Sequence, residues 1–328
     1  MVSNVMLKRF GWAFALSIVI LLGIAFFRSQ RAFSQGTNNL ITPIAQFRVA
    51  PSDGALDLKD VTTQGNSLYF LFSARNKSAE VVQTDGSGSI TSRTLLTLPS
   101  SLPARTLRVS EAGVLALLDV NGSKVSLYSP AGSLLDKIEP SEPLMDIQFV
   151  QSSLFGFGYG AVVRLYPTSN PQYTAITTNV YTPFKTVRLP NNSFGLLCLT
   201  KGTLIIVDEI AHNARSLALG ASFPQPVSSA SNGDEFGLIL SASAIDSKLF
   251  CLLTGFELSA GALVSVLDLT GKELQTFRCA LPLLNPAPVW SGPMTHAPYF
   301  FPEELLAFQG RLYLTDYKLS SVVFYDAP

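Results

Sequence analysis

Three carboxylates stand at one fixed offset from a recurring apolar run. Asp60, Asp146 and Glu304 each lie eight residues before the start of such a run, at Leu68, Leu154 and Leu312. Glu303 adjoins the last of them. Carboxylate oxygens that converge suit a hard divalent cation such as calcium or magnesium. A cation of that kind can polarise a substrate for a hydrolase or lyase reaction. The same offset also carries the opposite charge. Lys59, Arg105 and Lys185 sit one residue earlier, before Asp60, Thr106 and Thr186. They would repel a metal. Together with the acids they make a mixed-charge mouth, which suits the docking of a polar partner.

Other chemistry is poorly supported. The two histidines, His212 and His296, fall in turn-like or Pro-rich segments and are distant in sequence. No Gly-x-Ser-x-Gly, His-Glu-x-x-His or phosphate-cradling glycine loop occurs. Gly156–Gly160 is glycine-rich but lies inside a strand pair, where a bulge or close approach explains it. Cys198, Cys251 and Cys279 lie in or beside apolar runs at spacings of no zinc or redox motif. They read as buried thiols, with a single disulfide as the alternative. No cofactor is implied. One insertion stands apart, Pro286–Pro302, with Trp290, Tyr299, Phe300 and Phe301 among prolines. Aromatics on a stiff loop make a recognition surface at low entropic cost. The plainer reading is a loop that caps the neighbouring apolar edges.

The elements that hold these residues repeat. The apolar run Leu68–Phe72 has counterparts starting at Val114, Leu154, Phe194, Leu249 and Leu312, at intervals of 46, 40, 40, 55 and 63 residues. Each is followed by a second β-rich run, and in most units by a Gly turn and a third. Seven residues before each start stand Val61, Leu107, Ile147, Val187, Ala242 and Leu305, all apolar. Eight before stand Asp60, Thr106, Asp146, Thr186, Ser241 and Glu304, all polar. One register held across six units requires a common pleated strand with a fixed buried side. Four strands per unit and six units predict an all-β, six-bladed propeller. The sixth unit supplies three strands, so Ile41–Val49 is expected to provide its outer one and close the ring.

Two segments carry a family likeness. Val114–Ile138 (VLALLDVNGSKVSLYSPAGSLLDKI) and Leu312–Asp326 (LYLTDYKLSSVVFYD) resemble the NHL-type repeat of six-bladed propellers. Asp119 and Asp316 match the aspartate of that repeat; the other four units depart from it. The resemblance implies the propeller and, by analogy alone, a binding platform. Propeller lactonases hold a metal on the axis with carboxylate and amide ligands, so a lactonase-like hydrolase or lyase is the alternative reading.

Net charge is +0, with Lys+Arg 23 against Asp+Glu 23. No basic stripe is visible, so nucleic acid is not an expected partner. Lys8 and Arg9 precede an uncharged run from Phe10 to Phe27, just long enough to span a bilayer. It reads as a hydrophobic helix of the signal-anchor type. A small-x-small site at Ala32–Ser34 leaves cleavage before Gln35 as the alternative. Either way the body is expected outside the cytoplasm, anchored in the membrane through residues 10–27 or secreted. The organisation is therefore residues 1–31 as anchor or signal, 32–40 as linker and 41–328 as propeller. The expected function is recognition of a protein, peptide or glycan. The expected site is Lys59, Asp60, Arg105, Asp146, Lys185, Glu303 and Glu304, with Trp290 and Tyr299 overhanging.

Overall fold

The computed structural model describes residues 40–75, 78–158, 161–167, 172–175, 183–190, 193–198, 203–208, 213–218, 239–253, 261–282 and 300–328. The hydrophobic segment, both histidines, Trp290 and Tyr299 lie outside them.

Two strands come first, β1 (Leu40–Ile41) and β2 (Ala45–Arg48). Blade one is β3 (Asp57–Gln64), β4 (Ser67–Ser73), β5 (Ser78–Thr84) and β6 (Ile90–Thr97). Blade two is β7 (Ala104–Val109), β8 (Leu115–Asp119), β9 (Val125–Tyr128) and β10 (Leu134–Ile138). Blade three is β11 (Asp146–Val150), β12 (Ser153–Phe157), β13 (Ala161–Tyr166) and β14 (Gln172–Ala175). Blade four is β15 (Pro183–Arg188), β16 (Ser193–Cys198), β17 (Thr203–Asp208) and β18 (Asn213–Ala218). Blade five is β19 (Ile239–Ile245), β20 (Lys248–Leu253), β21 (Ala262–Asp268) and β22 (Glu273–Cys279). Blade six has β23 (Glu304–Phe308), β24 (Arg311–Asp316) and β25 (Ser321–Asp326). Each sheet is an antiparallel meander, and each unit found in the sequence is one blade.

The second strand of each blade is apolar throughout because it is covered on both faces. In β4, Leu68, Phe70, Leu71 and Phe72 are all fully buried. Alternate residues serve opposite neighbours: Phe70 and Phe72 pack toward blade six, Leu71 toward blade two. A strand with blades on both sides has no polar face, unlike a half-exposed sheet. Outer strands do face solvent, as β10 shows with Leu134 to Lys137 exposed. The core is thus divided among the junctions between blades. Tyr313, Phe324 and Phe70, for example, join blades six and one.

The ring closes as expected, with one refinement. β2 pairs with β25 and completes blade six, from Ala45 opposite Phe324 to Arg48 opposite Ser321. β1 is instead the fifth strand of blade five, beside β22. The predicted single strand Ile41–Val49 breaks at Pro43, which has no N–H for a ladder. The bonds on either side of it go to different blades: Ala280 N donates to the Ile41 carbonyl (2.9 Å) and Ile44 N to the Phe324 carbonyl (2.9 Å).

Side chains seal the seam between blades six and one. The Phe47 ring stands edge-on to Phe70 and tilted over Phe324, at 6.3 and 6.2 Å. The Tyr313 hydroxyl donates to the Gly86 carbonyl (3.1 Å). Beneath, the buried Glu80 carboxylate accepts from Ser52 N (2.6 Å), Ser52 Oγ (2.8 Å) and Arg93 (2.6 Å). Arg93 also donates to the Ala50 carbonyl. The chain leading from closing strand to first blade is therefore clamped.

The three cysteines are buried free thiols. Burial pushes the Cys198 thiol up to about 12 and those of Cys251 and Cys279 higher still, so all three act as small apolar side chains.

Gly88 tests the seam. Its φ is +89°, and a Cβ there would meet the Phe47 ring at 2.3 Å. Gly88→Ala should cost roughly 1–3 kcal/mol through backbone strain and the overpacked ring. Pairing it with Phe47→Leu should recover part of that loss. Urea denaturation of both variants measures this, and an unaffected Gly88→Ala protein would show that Phe47 does not hold the seam.

Candidate functional site

The inner strands β3, β7, β11, β15, β19 and β23 surround the axis. Side chains at the minus-eight offset point toward it. Asp60, Thr106, Asp146, Thr186, Ser241 and Glu304 are all buried. Their minus-seven neighbours go the other way, into the junctions between blades.

Sequence spacing makes Lys59, Arg105 and Lys185 equivalent; the ladders do not. In blades one and two an extra residue bulges just before the polar position, between Leu58 and Asp60 and between Ala104 and Thr106. Lys59 and Arg105 are those extra residues. In blade four the irregularity falls one residue earlier, and Lys185 keeps its place opposite Leu197. A bulge re-aims a side chain, so the three cations have different fates. Lys185 reaches the axis and pairs with Glu304. Arg105 donates to the Leu144 and Met145 carbonyls (2.8 and 2.9 Å), pinning blade two to blade three. Lys59 sits at the rim beside Asp57 (3.1 Å).

The axial acids belong to two bonded groups. In the first, Arg108 lies between Asp60 and Asp146. Its Nη1 donates to Asp60 Oδ2 (2.7 Å) and its Nη2 to both Asp146 oxygens (3.1 and 2.9 Å). Asp60 Oδ2 also accepts from Leu107 N (2.8 Å), and Asp60 Oδ1 from Val61 N (3.0 Å). Asp146 Oδ2 accepts from Thr186 N and Oγ1, both at 2.8 Å, and Asp146 Oδ1 from Ile147 N (2.7 Å). In the second group, Glu304 accepts from Ser241 Oγ (3.0 Å), Tyr317 OH (2.8 Å) and Lys185. Glu303 faces outward and accepts from Tyr317 N (3.0 Å).

Burial raises the Asp60 carboxyl to about 6, and the attraction of Arg108 offsets only part of that. Burial works against the Arg108 charge too, but Asp146 and Asp60 outweigh it and hold the guanidinium as a cation. Burial and the Glu304 charge push the Tyr317 phenol far up, so it remains a donor.

This arrangement binds blades together. The acceptor sites of Asp146 are filled by four donor groups making five contacts, and a cation seated there would have to displace Arg108. Among the described residues no three His, Cys, Asp or Glu side chains are grouped to hold a metal. Asp119 and Asp316, the repeat aspartates, cap turns: Asp119 accepts from Ser123 N and Oγ (2.7 and 2.8 Å), Asp316 from Leu319 N (3.0 Å). Asp316 also takes Phe301 N (3.0 Å). Phe300 is fully buried between blades five and six, while Phe301 beside it is 48% exposed. The end of the aromatic insertion thus both caps and presents.

Arg108 and Tyr317 were not anticipated. A signal for Arg108 existed, because residues two apart on a strand share a side. Six residues before each run start stand Thr62, Arg108, Gln148, Arg188, Ser243 and Leu306. All six line one axial cavity of about 280 Å3. The axis therefore has two rings, an acidic one at minus eight and a basic one at minus six. Outside the first ring, between blades six and one, lies an open depression of about 640 Å3 bordered by Arg48, Asp57, Lys59, Glu303, Tyr317 and Lys318.

Arg108→Met would leave two buried carboxylates without their cation and should cost about 3–5 kcal/mol. Asp60 adds a pH signature. Its carboxyl titrates at about 6 when folded and 3.8 when free. The folded state therefore holds the proton more tightly, and the stability this confers is full below the lower value and lost as pH rises through the upper. Urea titrations should show the native protein losing stability between about pH 4 and pH 6, and Asp60→Asn losing less. An equal loss in both would assign the slope to other groups.

No protein-family model and no curated protein matches the sequence. Solved structures do. Virginiamycin B lyase from Staphylococcus aureus shares 8% identity at a TM-score of 0.53, over 86% of this chain and 99% of that one. A streptogramin B lyase shares 9% at 0.52, over 85% and 95%. The Neurospora crassa Pan2 WD40 domain shares 12% at 0.50, over 87% and 85%. At such identities the likeness is one of fold alone: the chain is a six-bladed β-propeller.

Proposed function

We propose that the chain is an extracytoplasmic binding propeller, held at a membrane by residues 10–27 or released from it by cleavage. It recognises a partner protein, peptide or glycan through the face on which the inner strands begin. One observation carries this reading. The axial acids, the groups best suited to catalysis, are bonded across blades, whereas the depression beside them is open and carries both signs of charge. Arg48, Lys59, Asp57 and Glu303 border it, Lys59 paired with Asp57, and Pro51 and Tyr317 add apolar contact. Such a surface favours a polypeptide segment, which offers charges and carbonyls at short spacing, over a uniform glycan. Trp290 and Tyr299 are part of the proposed site on sequence grounds.

The fold likeness to lyases is compatible with chemistry on the same scaffold, but a fold does not fix a function. A hydrolase or lyase working through an axial cation would need the oxygens that Arg108 and Lys185 now engage.

Affinity capture from host membranes tests the platform, with Arg48→Glu/Lys59→Glu as control. The native chain should retain a partner that the doubly substituted chain loses while keeping its melting temperature. Equal retention by both would remove the depression as the docking surface. Carbonate washing tests the anchor: the chain should stay with the membrane pellet, or appear outside the cell beginning at Gln35. Recovery in the cytosol would overturn the placement.

A further inference from the structure

The second axial ring faces space that the first ring closes off. Its cavity of about 280 Å3 has Lys185, Thr186 and Glu304 at the floor and reaches Pro190 and Asp246 at the far ends of the inner strands. By liquid volume it would hold about nine waters. It lies at the opposite end of the axis from the docking face proposed above and stands independently of it.

We propose that this cavity binds a small monocarboxylate whose other end carries a hydroxyl or carbonyl oxygen. The argument begins with Arg188. The minus-six ring contains two arginines and no acid. Arg108 is consumed by Asp60 and Asp146. Arg188 is held only at the surface: Nη1 donates to the Gln64 amide oxygen (2.6 Å), and Nη2 makes a single-point ion pair with Glu111 at 3.3 Å, an exposed carboxylate that can turn out to water when a ligand takes its place, as the buried Glu304 cannot. A guanidinium is a fork shaped for both oxygens of one carboxylate. Among the described residues Arg188 has no such partner. Its two contacts lie on or next to the inner strands of blades one and two, whereas Arg188 belongs to blade four. The side chain therefore reaches over the axis, at the mouth of the cavity.

The floor selects the other end of the ligand. The Lys185 ammonium has three donors, and among the described residues its one partner is Glu304. Donors remain for an oxygen in the cavity. That oxygen must be neutral, because Glu304 already balances the Lys185 charge and would repel a second carboxylate. Between floor and mouth the Leu306 side chain, on the axial side of its strand, gives a short carbon chain an apolar contact.

Calorimetric titration of the full-length chain tests this with three acids of equal carbon number: 6-hydroxyhexanoate, hexanoate and adipate. The hydroxy acid should bind more tightly than hexanoate, and adipate least. Arg188→Gln should weaken 6-hydroxyhexanoate roughly tenfold or more, the worth of a charged hydrogen-bonded pair. Arg188→Lys, which keeps the charge and loses the fork, should fall between. Lys59→Glu should bind the acid as the native chain does, which separates this cavity from the docking face. No binding of any acid, or equal affinity in native and Arg188→Gln proteins of unchanged melting temperature, would overturn the proposal. Tighter binding of adipate than of the hydroxy acid would overturn the neutral far end.

Discussion

The innermost strand of every blade has one edge without a neighbour. Its free N–H groups face the axis, too far from the opposite blade to pair with it and too enclosed for bulk water. Buried backbone donors must find acceptors. Here the acceptors are side chains of the preceding blade. Asp60 takes the N–H of Leu107, and Asp146 takes that of Thr186. Each carboxylate thereby stitches its blade to the next. The need to satisfy that edge accounts for the carboxylates at the minus-eight position of blades one and three; at the same offset Ser241 instead donates, to Glu304 and to the Leu305 carbonyl.

Placing charge there is expensive unless each ion is paired and its remaining sites are bonded. The two clusters meet that requirement differently. Arg108 serves two carboxylates at once, while Glu304 gathers an ammonium, a hydroxyl and a phenol. Of the two acids on Arg108, Asp60 accepts from three donor groups and Asp146 from four. Arrangements of this type look catalytic in a list of residues. Their bonding pattern shows them engaged in holding the ring.

Much of this was legible in the sequence because strand geometry has a period of two and a propeller repeats it six times. The minus-seven and minus-eight offsets located the inner strands and their two sides before any coordinates. Besides Tyr317, which lies in a turn after β24 and carries no repeat signal, three features escaped. Lys59 and Arg105 occupy bulges, and a bulge leaves no mark in residue spacing; only the ladder distinguishes them from Lys185. Arg108 lay two residues beyond the ring that was counted, on the same side of the same strand. The closing strand divides at Pro43, a signal that was present but read as falling within one strand. Trp290 and Tyr299 lie outside the described residues, so the overhanging part of the site rests on sequence alone.

The closing strands carry a further consequence, for the order in which the molecule can be made. β1 and β2 precede every blade in the chain, yet their partners β22 and β25 belong to the last two. Nothing synthesised in between can supply those edges. Each blade can form its local hairpins as it emerges, but the first segment must wait for the end of the chain. Loop closure over so long a span is slow, and until it happens two sheet edges stand open to any passing strand. The hairpins can thus form piecemeal, but the ring is completed only when the last strand, β25, is there to receive β2.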